Sequence, residues 1–119
     1  MKILFRGQEI EAKRAPTFGD LDLALVERNI GALAAYQQRI LKAEADGAPG
    51  CADDIARFCI VCNDAAKTIR ERVTAAALSI GAVESVANGD EAAATEACIE
   101  FYWALRDALG VGALGLGKS

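Results

Sequence analysis

The residues best equipped for chemistry in this sequence are four cysteines, several paired carboxylates and a glycine-rich C-terminal run. Gly112-Ala113-Leu114-Gly115-Leu116-Gly117-Lys118-Ser119 satisfies the G-x-x-x-x-G-K-S spacing of a phosphate-binding loop. Such a loop works by joining a buried strand to the start of a helix, whose N-terminal amides and dipole hold the phosphates. Here a helical pattern precedes the loop, and the sequence supplies neither a helix after Ser119 nor a later acidic strand for magnesium. Nucleotide binding is therefore not expected.

Cys59-Ile60-Val61-Cys62, with Cys51 and Cys98, offers four thiols. Four thiolates suffice for zinc or an iron–sulfur cluster. Structural zinc sites draw paired cysteines from loops, however, whereas Cys51 and Cys98 are isolated and the chain has no histidine. Cys59 and Cys62 also fall on a helical apolar stripe between Phe58 and Ala65, where cysteine packs as a small hydrophobe. A redox dithiol sits at a helix N-terminus after a strand, a context missing here. The expected role of the cysteines is core packing, with a cysteine-dependent metal or redox protein as the remote alternative.

The carboxylate pairs Asp20/Asp22, Asp53/Asp54 and Glu96/Glu100 each have a reading as helix starts or solvated helix faces. Without histidine the commonest general base is missing, and no serine or threonine has an evident activating partner. The sequence names no catalytic residue and no cofactor, and a non-enzymatic role is expected.

The elements that would position these groups are mostly helical. Ile3-Leu4-Phe5 and Glu9-Ile10-Glu11-Ala12 flank Arg6-Gly7-Gln8, which predicts a short β-hairpin turning on Gly7. A lone hairpin must pack on helices or gain strands from another copy. About four helices should follow. The first opens at Pro16-Thr17, with Thr17 as N-cap and Asp20 in the first turn, and ends near Asn29-Ile30-Gly31. Its apolar residues, Leu21 and Leu25, Leu23 and Val26, occupy two faces, as in a helix that is deeply packed or shared with a partner. The second runs from about Ala32 to Asp46 with the stripe Leu33, Tyr36, Ile40 and Leu41, before the break at Gly47-Ala48-Pro49-Gly50. The third starts at Ala52 and is bent or ended by Gly81. The fourth, capped by Asp90, reaches about Leu109 on the stripe Ala94, Ala97, Cys98, Phe101, Leu105 and Ala108. One helical domain over 1–109 and a flexible glycine-rich tail over 110–119 are expected.

Composition bounds the partners. The 119 residues carry 17 acidic and 13 basic side chains, a net charge of −4, and the cations do not cluster, so nucleic acid is a poor partner. No apolar stretch approaches the roughly 20 residues that span a bilayer. The opening Met1–Arg6 holds too short an apolar run for a signal peptide. The cytoplasm is the expected compartment, and free thiols follow. Phe101, Tyr102 and Trp103 are adjacent in the last helix, where successive side chains point about 100° apart. At least one should reach a side face, where it either anchors a partner, as Tyr and Trp commonly do, or packs on a second neighbouring helix of the same domain. Tyr102 and Trp103 are thus the candidate protein-binding residues, with Leu21, Leu23 and Val26 for self-association.

Three segments, Ile3-Leu4-Phe5-Arg6-Gly7-Gln8-Glu9-Ile10, Phe18-Gly19-Asp20-Leu21 and Val26-Glu27-Arg28-Asn29-Ile30-Gly31, together resemble the N-terminal part of tail assembly chaperones of long-tailed bacteriophages. Those proteins often open with a hairpin around glycine, followed by a helix with an acidic start. The resemblance covers about the first 31 residues, and the segment after Gly31 lacks the tryptophan many such chaperones have there. It implies a chaperone that holds the tape measure protein, recruits tail tube subunits, self-associates and is absent from the mature virion. It also implies a longer frame-shifted product, which a G-then-A run encoding Gly117-Lys118 would permit. The alternative is another small helical adaptor or regulator.

Overall fold

In the computed structural model, residues 2–13, 22–86 and 89–109 are described. They form strands β1 (Lys2–Phe5) and β2 (Gln8–Glu11), then helices α1 (Leu23–Asp46) and α2 (Cys51–Ser79), a 3-10 turn (Val83–Val86), and helix α3 (Glu91–Leu109). The fold is mostly α with an N-terminal hairpin, and the described residues form three α-helices where about four were expected.

The hairpin is antiparallel, with Ile3 opposite Ile10 and Phe5 opposite Gln8. Its two-residue turn places Arg6 at φ 51° and Gly7 at φ 78°. Positive φ at both central positions is the type I′ geometry whose twist matches the strands. Alternation sends Ile3 and Phe5 inward and leaves Leu4 exposed. The buried pair packs on helix rather than on more strands: the Phe5 ring meets Phe101 edge-on at 5.3 Å. Beyond β2, the Lys13 amide donates to the Ile80 carbonyl at 2.8 Å, which ties the hairpin to the end of α2.

The missing fourth helix is explained by α1, which continues through the expected break at Gly31. Asp22 caps it, its Oδ1 accepting from the Leu25 amide at 3.0 Å. The expected cap Thr17, with Asp20, lies outside the described residues. Gly31 keeps a negative φ, unlike the four glycines that turn the chain. Asn29 donates back to the Leu25 carbonyl at 2.9 Å, so it spares the helix ladder. A helix-interior glycine costs about 1 kcal/mol, and packing of α1 along α2 outweighs that. The real C-cap is Gly47 at φ 59°. Gly81 ends α2 as expected, and Asp90 caps α3, accepting from the Ala93 amide at 2.8 Å.

The core lies at one end of the molecule. It gathers Ile3 and Phe5, Ile69 and Val73 of α2, and Phe101 and Leu105 of α3. From Ala34 to Asp64, by contrast, no side chain is buried. This stretch is the distal half of an antiparallel α1–α2 hairpin, held by Tyr36 against Phe58 at 5.6 Å and by Leu33 near Cys62. It projects as an arm. The Cα radius of gyration is 16.5 Å, against about 13–14 Å for a compact domain of this length. No helix among the described residues is long and apolar enough to cross a membrane.

Candidate protein-binding surface

The arm exposes large apolar side chains. Leu41 is 60% exposed and Ile60 61%. The expected stripe of α1 included Leu41, but the face turned to α2 holds Leu33, Tyr36 and Ile40. Leu41 sits about 100° further round and remains in solvent.

Where the arm meets α3, a cleft of about 700 Å³ opens. Its floor is Leu33, Cys62, Ala66 and Ile99, and its α3 wall carries Glu91, Glu96 and Glu100. Arg70 closes one end, donating to Thr95 Oγ1 at 2.8 Å and to Glu91 at 3.3 Å. A second hollow of about 370 Å³ continues along α1 past Gln37 to Leu41.

On the hairpin side of α3, Arg6 donates to both carboxylate oxygens of Glu100, at 2.9 and 2.7 Å. This paired guanidinium holds the Glu100 carboxyl below the usual range. The expected face of Glu96 and Glu100 is thus only partly a solvated one, because Glu100 anchors the hairpin.

Between α1 and α3 lies a polar link. Tyr102 is fully buried and its hydroxyl donates to Glu27, while Arg106 lies 2.9 Å from the same carboxylate. Burial and the adjacent carboxylate both push the Tyr102 hydroxyl far up, so it stays a protonated donor. The Arg106 guanidinium also lies over the Trp103 ring, 5.7 Å from its centroid.

The candidate contact residues therefore separate. Trp103 is 41% exposed and remains available to a partner. Tyr102 is an internal tie and presents no surface of its own. Val26, a candidate for self-association, is fully buried in the chain's own core. Leu21 and the side chain of Leu23 lie outside the described residues, as does the glycine-rich run 110–119.

The cysteines do not share one environment. Cys98 is buried beside Thr74, and burial raises its thiol pKa. Cys62 is half-buried, with its pKa raised for the same reason. Cys59 is exposed, which corrects the expectation of core packing: the stripe it shares with Phe58 and Cys62 is wide at this point, and no third helix among the described residues covers its edge. Among the described residues, no three Cys, Asp or Glu side chains come together to hold a metal ion.

No local pattern signals the cleft, because α3 packs on α2 at the base of the arm through contacts between residues 21 or more positions apart. Comparison with protein-family models, with curated proteins and with solved structures finds no match to this chain.

Proposed function

We propose that this chain works by binding a helical protein partner, as a non-enzymatic phage tail assembly chaperone that holds the tape measure protein and helps recruit tail tube subunits. The observation that carries the reading is the arm. Two helices project over residues 34–64 without one buried side chain while exposing Leu41 and Ile60. Apolar surface left in water favours association, and a helical partner lying along the arm would remove it. Trp103 beside Arg106 adds an aromatic–cation pair of the kind common at interface anchors. The narrower tail-assembly reading draws on the resemblance of the first 31 residues.

The test is co-expression with a tape measure protein encoded beside this gene. Co-purification that is lost in Leu41→Asp, with helical content kept, is the expected result. Absence of any complex at micromolar concentrations overturns the tail-assembly reading.

A further inference from the structure

The cleft beside α3 has the form of a place for one more helix. α3 packs on α2 at the base of the arm, where Arg70 meets Thr95 and Thr74 meets Cys98. Towards the tip the same side of the arm continues uncovered. Gln37 and Asn63 line the cleft. Leu41 stands one turn beyond Gln37, and Cys59 one turn before Asn63, so both share that side. All four are exposed and uncharged. By the same arithmetic Arg39 and Arg57 lie about 160° round their helices from Leu41 and Cys59, and Lys42 about 100° from Leu41.

The wall, unlike the floor, is charged. Glu91 pairs with Arg70 and Glu100 with Arg6, while Glu96 makes no ion pair among the described residues. An occupant must therefore match an apolar floor and a wall with surplus negative charge. A second copy of this chain fits poorly, since it would bring a net −4 against an acidic wall. A helix with a narrow apolar stripe and lysine or arginine along one flank fits both.

We propose that this cleft binds an amphipathic helix of another protein, its apolar stripe on Leu33, Cys62, Ala66 and Ile99 and its basic flank against Glu96. The inference rests on the protein-binding reading and names the chemistry of the partner.

Two fluorescent 18-residue helical peptides test it. Both carry leucine at i, i+3 and i+7 spacing; one has lysines along a single flank and the other glutamates. The lysine peptide should bind the full chain at least about tenfold more tightly, with affinity falling as salt rises. Glu96→Lys should reverse that order, and Ala66→Gln, which fills the floor, should weaken the lysine peptide. Equal binding of the two peptides, or an order unchanged in Glu96→Lys, overturns the proposal. So does a stable dimer in sedimentation that Ala66→Gln dissociates, because a second copy would then own the cleft. A co-expressed partner retained by Glu96→Lys and by Ala66→Gln rejects the cleft but leaves the protein-binding reading standing. Peptides that behave as expected without any tape measure complex keep the cleft and reject the tail-assembly reading.

Discussion

Arg6, held at φ 51° in the hairpin turn, reaches across to α3 and grips both carboxylate oxygens of Glu100. A non-glycine residue in this region costs conformational energy. Here that residue carries the link between hairpin and helix, next to the edge-on contact of Phe5 with Phe101. Because arginine keeps its charge at all relevant pH, the link depends on the protonation of Glu100.

Arg6→Asn should loosen the hairpin without disturbing its turn, since asparagine tolerates left-handed backbone. Faster hydrogen exchange in β1 and β2, with α1 and α2 unchanged, is the expected outcome. The pH dependence has a definite sign. The Glu100 pKa is lowered in the folded chain, so its contribution is complete above the ordinary carboxylate range and disappears as pH falls through the depressed value. Wild type and Arg6→Asn should therefore differ in hairpin exchange at pH 6 and converge in acid.

Tyr102→Phe removes the hydroxyl from Glu27 and leaves Arg106 on the same carboxylate. Loss of one hydrogen bond to a charged acceptor should cost about 1.5–3 kcal/mol in urea unfolding. The hydroxyl pKa is raised in the fold, so its contribution is complete below the unfolded value, about 10, and lost as pH climbs above it. In a Tyr36→Phe background, tyrosinate absorbance near 295 nm should appear only with alkaline unfolding. A smooth rise in the folded state around pH 10 would contradict the buried hydrogen bond.

Much of this fold is legible in the sequence, and the exceptions share a cause. Gly7, Gly47, Gly81 and Asp90 announce turns and caps through local backbone chemistry, and each acts where expected. Gly31 does not, because a glycine signals a break only when nothing else holds the helix, and α2 packs extensively against α1. Leu41 and Cys59 illustrate a second limit. Periodicity places a residue on a stripe but cannot say how wide a stripe the neighbours cover. Tyr102 and Trp103 are separated by the tertiary placement of α3, which turns Tyr102 to Glu27 of α1 and leaves Trp103 exposed, and no local pattern encodes it. The cleft is unreadable for the same reason, being made by three helices at once.

The continuity of α1 has its own test. A β-carbon added at Gly31 meets nothing within 4 Å, and its backbone is helical. Gly31→Ala should therefore stabilise the chain by about 0.5–1 kcal/mol. Were the helix to stop there with glycine in a left-handed conformation, the same change would destabilise it.

The environments of the thiols predict an order of reactivity with a neutral alkylating reagent under native conditions. Cys59 is exposed and should react first. Cys62 should follow more slowly, since it is half-buried and its raised pKa lowers the thiolate fraction at neutral pH. Cys98 is 1% exposed and has its pKa raised by burial, so it should react only through opening of the α2–α3 packing. Peptide mapping by mass spectrometry reads all three in one time course. The decisive comparison is Cys98 in wild type and in Tyr102→Phe. If Tyr102 ties α3 to α1, weakening that tie should speed Cys98 labelling by about tenfold per 1.4 kcal/mol lost, while Cys59 stays unchanged. Equal rates at Cys98 would mean that α3 is held without the Glu27–Tyr102 link.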